Sequence, residues 1–332
     1  MFLNLSKSTK NQELTKAQNL LKSFVAQKES GLFILLIAMF VIMSVARPDT
    51  FCTSENLFNI LRQVSLITIV AVAQTFVIIT GGIDLSVGFS LGLAGIIIAH
   101  LLQAGLSPVI AIILGILAST AIGLINGLII TMIKLPPFIV TIGMSYIARG
   151  LSFVITSGFT IRVTQPFVLG IANKYLGPIP IMTIIMFVIV IIAAYVLNKT
   201  AFGMRTKALG GNIVAAKLSG INVMKHRILI HVIGGLLCGI AGLIMIGRLN
   251  AGNPNAGVNY DVDSIAATVV GGTSMTGGEG TMLGTLLGSL LLGVIRNGLV
   301  LLNVNMYWQT VVAGAIILIV CSVDYLTNKK KT

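Results

Sequence analysis

The chain has 332 residues, of which 56% are hydrophobic and only 9% are charged, and its formal net charge is +13. An ordinary soluble domain carries about 25% charged residues, so this composition excludes a water-soluble globular protein and predicts an integral membrane protein. The apolar runs at 31–46 and 181–197 approach the ~20 residues that a helix needs to cross the hydrocarbon core, whereas a β-barrel would show short alternating segments.

The first 30 residues are predicted to be a cytoplasmic tail, because the first apolar run begins only near Gly31 and no signal-peptide cleavage site follows it. Beyond this tail we predict an all-α polytopic membrane domain at 31–325, with a cytoplasmic loop at 198–227 and a basic cytoplasmic tail at 326–332. About ten transmembrane helices are predicted, at 31–47, 63–80, 85–103, 107–133, 137–157, 181–197, 228–247, 263–277, 281–302 and 307–325. The helix at 263–277 is short and rich in small residues, so a re-entrant segment is the alternative there.

The basic residues predict the orientation of these helices. Fifteen of the 22 Lys and Arg residues fall in segments that a cytoplasmic N-terminus places inside, and six fall outside, which favours both termini in the cytoplasm. This bias accounts for the positive net charge without a nucleic-acid partner. Helices two to five and helices seven to ten span similar lengths, at 63–157 and 228–325, which raises the hypothesis of an inverted repeat.

The stretch GGIDLSVG at 81–88 is a polar interruption between two apolar runs. Gly81 and Gly82 are predicted to end the second helix, because glycine readily adopts the left-handed conformation that closes a helix. Asp84 is then expected at the N-cap of the third helix, where it accepts a hydrogen bond from the backbone N–H of Ser86 or Val87. The alternative hypothesis places this carboxylate at the cytoplasmic mouth of a pathway, changing partner as a gate moves; the two roles are compatible.

The cytoplasmic loop at 198–227 contains a second candidate site, the short helical pattern NIVAAKLSG. Asn212 is a plausible N-cap, and Gly220 is expected to stop the helix. Its small mixed surface suits docking into a groove of another protein, and a solvated loop is the alternative. The residues assigned to this site are Gly210, Gly211, Asn212, Ala215, Ala216, Lys217 and Gly220.

The remaining polar stretches are the external loop at 247–264 and the motif GGTSMTGGEG at 271–280. Asp263 is expected to be the N-cap of the eighth helix. The glycine-rich motif lacks the Lys of a phosphate loop and is predicted to be a tight internal turn. We find no metal-ligand cluster and no nucleophile–base pattern in the sequence, so we expect no catalytic, cofactor-binding or metal-binding residues in this chain.

Four motifs together resemble the permease subunits of ribose-type monosaccharide importers of the ATP-binding-cassette class. They are GGIDLSVG (81–88), ALGGNIVAAKLSGINV (208–223), DSIAATVVGGTSMTGGEGTMLGTLLG (263–288) and YWQ (307–309). The similarity covers residues 55–325 in order.

The resemblance implies a homodimer of permeases, a dimeric cytoplasmic ATPase that consumes the ATP, and a soluble sugar-binding protein that docks from outside. It implies a non-enzymatic subunit of the bacterial inner membrane that moves a ribose-like pentose or hexose inward by alternating access. Within it, 210–220 resembles the coupling helix that sits in the ATPase groove, and Gly81, Gly82, Asp84 and Ser86 match the family signature.

A neutral sugar suits helices that offer hydroxyl and amide groups in place of charges. Gln74, Asn126 and Thr141 are candidate pathway residues, although the same residue types also serve helix packing. The alternatives are a permease of the related nucleoside or branched-chain amino-acid importers, or a stand-alone secondary carrier. Carriers coupled to ions or protons usually place ionisable residues within their helices, and few occur here.

Overall fold

The structure, a computed structural model, describes residues 28–329 and is built almost entirely of helices. The helices are α1 (Lys28–Ala46), α2 (Pro48–Phe51), α3 (Ser54–Ile79), α4 (Val87–Gln103), α5 (Pro108–Leu128) continuing as a π-helical turn (Ile129–Ile133), α6 (Pro137–Thr156), α7 (Pro166–Asn173), α8 (Ile181–Lys199), α9 (Ala201–Gly211), α10 (Ile213–Leu218), α11 (Val223–Leu249), α12 (Tyr260–Val270), α13 (Met282–Leu301) and α14 (Met306–Lys329).

Seven helices within residues 28–329 are long and apolar enough to cross a membrane, namely α1, α3, α5 with its π-helical turn, α6, α8, α11 and α13. The prediction of an all-α polytopic membrane protein is therefore confirmed. Each of the ten predicted segments contains a helix, but α4 has only 17 residues and α12 only 11. The predicted helix at 263–277 ends at Val270, because Gly271 and Gly272 begin the glycine-rich turn. Residues 1–27 and 330–332 lie outside the described residues, whereas residues 28–30 and 326–329 of the two predicted tails belong to α1 and α14.

Two long helices, α3 and α11, form the centre of the fold. In the most apolar stretch of α3, 89% of the residues are buried, whereas in that of α1 only 11% are buried. Helix α1 therefore lies at the periphery. Helix α11 packs against α3, α4 and α5. The contact with α5 depends on glycine, because a Cβ at Gly123 would lie 2.1 Å from the carbonyl oxygen of His231. Such close backbone approach is typical of helices that associate within a membrane.

Four two-residue strands connect the ends of the helices. Strand β1 (Ile161–Arg162) pairs antiparallel with β4 (Ala251–Gly252), in the register Ile161↔Gly252. Strands β2 (Tyr175–Leu176) and β3 (Ile179–Pro180) form a hairpin before α8. The β1–β4 pair joins the connection after α6 to the connection after α11, so two loops that are distant in sequence meet at one end of the bundle.

Candidate functional site: a buried polar segment and a short coupling helix

Helix α3 ends where the polar interruption begins. Gly81 adopts φ = 77°, and the backbone N–H of Gly82 donates to the carbonyl of Val77 at 3.2 Å. This is the pairing that closes a helix through a left-handed residue, so the predicted role of the two glycines is confirmed. The chain then runs as a non-helical segment from 80 to 86 before α4 begins at Val87.

Asp84 is not the N-cap of α4; that prediction is wrong by two residues, because Ser86 occupies the N-cap position. The carboxylate still binds as expected on one side: its Oδ1 accepts from the backbone N–H of Ser86 at 2.8 Å and from the Ser86 hydroxyl at 2.6 Å. Its Oδ2 lies 3.2 Å from Nδ1 of His231 in α11. Because an ionised carboxylate can only accept, Nδ1 of His231 carries the proton in this contact.

All three candidate pathway residues contact this same segment. The hydroxyl of Thr141 donates to the carbonyl of Ile83 at 3.2 Å, and the amide of Asn126 donates to the hydroxyl of Ser86 at 2.9 Å. The side-chain amide of Gln74, with its oxygen and nitrogen assigned from the surrounding donors and acceptors, pairs with the backbone N–H and C=O of Asp84 at 3.2 Å each. We call the following residues the Asp84 hub: Gln74, Ile83, Asp84, Ser86, Asn126, Thr141 and His231.

The polar side chains of the Asp84 hub are buried. Gln74, Asn126 and Thr141 have no exposed surface, and Asp84 and His231 are also buried. In this conformation the three polar residues therefore hold the 80–86 segment in place, and their contact with a passing substrate stays a prediction. One acceptor is left over: Oδ1 of Asn126 is buried and has no hydrogen-bond partner among the described residues. A buried amide oxygen without a partner is costly, so this hub is not fully satisfied as it stands.

His231 belongs to this hub, although it is not among the candidate site residues of the sequence analysis. It lies in the interior of α11, 147 residues from Asp84 in sequence. An ionisable residue inside an apolar helix is itself a signal of function. The partner of such a residue depends on which helices pack together.

The predicted coupling helix is present as α10. Oδ1 of Asn212 accepts from the backbone N–H groups of Val214 and Ala215, each at 3.0 Å. Helix α10 ends at Leu218, and Gly220 adopts φ = 81°. Both the predicted N-cap and the predicted stop are confirmed.

The faces of α10 differ from the sequence-based expectation. Ala216 is only 4% exposed and faces its own chain, so it cannot belong to a docking surface. Ala215 and Lys217 are exposed, and beside them Val214 is 64% and Leu218 84% exposed. Residues four apart lie on one face of a helix, and the apolar pair at 214 and 218 could have been recognised from that spacing.

Gly210, in α9, contacts the end of α3 directly before the non-helical segment at 80–86, and also contacts the glycine-rich turn. A Cβ at Gly210 would lie 1.7 Å from the carbonyl oxygen of Ile79 and 2.4 Å from the backbone nitrogen of Gly278. The N–H of Gly278 also donates to the carbonyl of Ile79 at 2.8 Å. Helix α9, the end of α3 and the glycine-rich turn therefore meet backbone to backbone. Gly211, by contrast, faces open space.

The motif at 271–280 is a turn, as predicted. Gly272, Gly277 and Gly278 all have positive φ, and the N–H of Ser274 donates to the carbonyl of Glu279 at 3.1 Å. Glycine populates such conformations without steric cost. The turn brings α12 and α13 side by side and presents Gly278 to α9.

A second ionisable pair, partly buried, lies near the start of the short helix α12. Asp263 was predicted to be the N-cap, but α12 begins at Tyr260 and its N-cap position is held by Asn259. Asp263 instead accepts a hydrogen bond from the guanidinium of Arg296 in α13. We call Asp263 and Arg296 the outer pair. Within residues 28–329 no cluster of three or more His, Cys, Asp or Glu side chains could hold a metal ion.

These features define a class of protein: a multi-pass helical membrane protein whose buried polar residues connect its helices. Residues 56–321 match the family described as the branched-chain amino acid transport system / permease component. The chain belongs to this family, which is one of transporter components and not of enzymes.

Similar proteins cover nearly the whole chain. Ribose import permease protein RbsC of Bacillus subtilis is 41% identical over 95% of this chain and 98% of that protein. RbsC of Escherichia coli K12 is 39% identical over 93% and 96%, and the D-allose transport system permease protein AlsC of the same organism is 35% identical over 90% and 92%. The predicted resemblance to ribose-type permeases is confirmed. No solved structure matches the chain.

Proposed function

We propose that this chain is the membrane-spanning permease subunit of an ATP-driven importer that moves a monosaccharide, a ribose-like pentose or a hexose, into the cytoplasm. The observation that carries the proposal is the full-length similarity to permeases named for ribose, allose and fructose import. The described helices carry few charges, and their polar groups are hydroxyls and amides, which pair with sugar hydroxyls.

We place the chain in the bacterial inner membrane with both termini in the cytoplasm, following the distribution of its Lys and Arg residues. In this orientation α9 and α10 lie on the cytoplasmic side, and the loops around β1 and β4 lie outside. The exposed Val214 and Leu218 form the surface offered to a cytoplasmic ATPase that binds and consumes ATP. The external loops receive a soluble sugar-binding protein, and a second copy of the permease completes the pathway.

The inverted-repeat hypothesis relates α3–α6 to α11–α14. Matching packing partners support it: α4 packs on α11 as α12 packs on α3, and α5 packs on α11 as α13 packs on α3. Likewise α4 contacts α5 and α6, and α12 contacts α13 and α14. The two short helices α4 and α12 are thus counterparts, and they run in opposite directions through the bundle in this topology.

In this arrangement each half of the chain contributes one contact between two ionisable side chains near the start of its short helix. In the first half Asp84, before α4, binds His231 of α11; in the second half Asp263, in the first turns of α12, binds Arg296 of α13. Alternating access requires contacts that form in one state and separate in the other. The Asp84 hub on the inner side and the outer pair on the opposite side are suited to this role. Gly210 would transmit the motion of α9 to the end of α3.

Transport by purified components tests the proposal. The permease reconstituted in liposomes with its ATPase and binding protein should accumulate radiolabelled ribose, allose or fructose only when ATP is supplied. Uptake of a nucleoside or leucine in place of all three sugars would refute the substrate class. Sugar uptake by the permease alone, without the ATPase, would refute the ATP-driven mechanism in favour of a secondary carrier.

The topology has its own test. A single cysteine at Asn253, in a background without native cysteines, should react with an impermeant thiol reagent in intact cells, whereas one at Lys7 or Lys330 should react only after the membrane is opened. Reaction of either terminal cysteine in intact cells would overturn the orientation.

A further inference from the structure

A cleft of about 980 Å³ opens between the end of α5, the start of α6, α10 and the start of α11. Its walls combine apolar and basic side chains, among them Leu135, Met224, Lys134, Lys217 and Arg227. Neither the Asp84 hub nor the outer pair contributes to it. Its α10 wall includes Val214, so the cleft borders the surface proposed for the ATPase.

The charge in this cleft is all of one sign. Three cations line it, Lys134, Lys217 and Arg227, and no Asp or Glu is among the lining residues. None of the three forms an ion pair within the part of the chain that the structure describes. Like charges around one cavity repel each other, so an anionic occupant would relieve this repulsion.

The residues next in sequence to the cleft lining on α5 and α6 are exposed and apolar. Met132 and Ile133, in the π-helical turn, are 63% and 65% exposed. Phe138 and Ile139, in the first turn of α6, are also exposed. A basic cavity on helices that carry exposed apolar side chains offers one region for a charged headgroup and another for hydrocarbon.

We propose that this cleft binds the phosphate headgroup of an anionic phospholipid, with its acyl chains lying along α5 and α6. Basic pockets between helices at the cytoplasmic end suit such headgroups, and Lys and Arg near helix ends extend towards the interface. The choice of the cytoplasmic leaflet rests on the proposed orientation of the chain. An acidic protein surface is less suited, because α5 and α6, which contribute to the cleft, carry exposed apolar side chains and are long enough to cross the membrane.

Lipid retention by the purified chain tests the proposal. The double variant Lys134→Gln/Arg227→Gln is compared with Lys199→Gln/Lys225→Gln, which removes two exposed cations outside the cleft. Native mass spectrometry measures bound phosphatidylglycerol, with phosphatidylcholine as the zwitterionic lipid. We expect the cleft variant to bind phosphatidylglycerol about 30-fold more weakly, equivalent to about 2 kcal/mol for two basic residues, and the control variant to bind as the unmodified chain does.

Four outcomes would overturn the proposal. Equal retention of phosphatidylglycerol by both variants would place the lipid elsewhere, and equal binding of phosphatidylcholine would remove the role of charge. Weaker binding of the ATPase by the cleft variant, with unchanged lipid retention, would make the occupant a protein. Thermal stabilisation of the chain by inorganic phosphate as large as that by the lipid would make it a free anion. None of these measurements includes the transported substrate, so they do not depend on which substrate the permease carries.

Discussion

Replacing Gly210 with alanine should loosen the contact between α9 and the end of α3. The new Cβ would lie 1.7 Å from the carbonyl oxygen of Ile79 and 2.4 Å from the nitrogen of Gly278. Both are backbone atoms, so no side chain can rotate away, and α9 must shift as a unit. Overpacking of this kind costs about 1–3 kcal/mol.

The shift would also strain the hydrogen bond from Gly278 to Ile79, now 2.8 Å, and losing it would add about 1 kcal/mol. We therefore expect Gly210→Ala to destabilise the protein by about 2–4 kcal/mol in total. Gly211→Ala is the matched control, because its Cβ would meet nothing within 4 Å and alanine favours a helix over glycine by about 1 kcal/mol.

Thermal unfolding of both purified variants in the same detergent measures the difference. Gly210→Ala should unfold several degrees below the unmodified chain, and Gly211→Ala should unfold at or above it. In the reconstituted importer, Gly210→Ala should also lower sugar uptake per ATP hydrolysed, because α9 no longer holds the end of α3. Equal stability of the two variants would refute the backbone contact, and normal coupling in a destabilised Gly210→Ala variant would refute its role in transmission.

Substitutions at four other positions give further predictions. Leu218→Glu should abolish ATPase-dependent uptake while the permease remains as stable as before. Ala216→Glu, at a buried position, should instead reduce the amount of folded protein in the membrane. Co-purification with the ATPase and membrane abundance distinguish a lost docking contact from a folding defect. Asp84→Ala should cost about 1–3 kcal/mol because it leaves buried donors unpaired. Asp84→Asn keeps an oxygen for Ser86, and its NH2 group can donate to Nδ1 of His231 when the imidazole proton is on Nε2, so it should be nearly as stable as the original; an unstable Asn variant would contradict this account. Arg296→Gln should cost about 1–3 kcal/mol, less than for a fully buried pair because its side chain is partly exposed; unchanged thermal stability would contradict it.

Local chemistry allowed several features to be predicted from the sequence. Composition identified a membrane protein, and each apolar segment contains a helix. Gly81 ends α3, and Asn212 and Gly220 bound α10, because capping depends on residues within one turn of each other. The N-caps predicted at Asp84 and Asp263 are wrong by two and by four residues, respectively. Several polar residues near the start of each helix compete for the N-cap position.

The long-range contacts were decided only by the tertiary structure. In a membrane helix, residues that face lipid and residues that face other helices are equally apolar, so the sequence pattern does not indicate which side is packed. For this reason nothing local distinguishes Gly210, which touches two backbones, from Gly211, which touches none. The same applies to the burial of Ala216 and to the meeting of His231 with Asp84 across 147 residues. The sequence by itself determined the class of protein and the ends of its helices, and the packing of α3, α9 and α11 decided which polar residues meet in the interior.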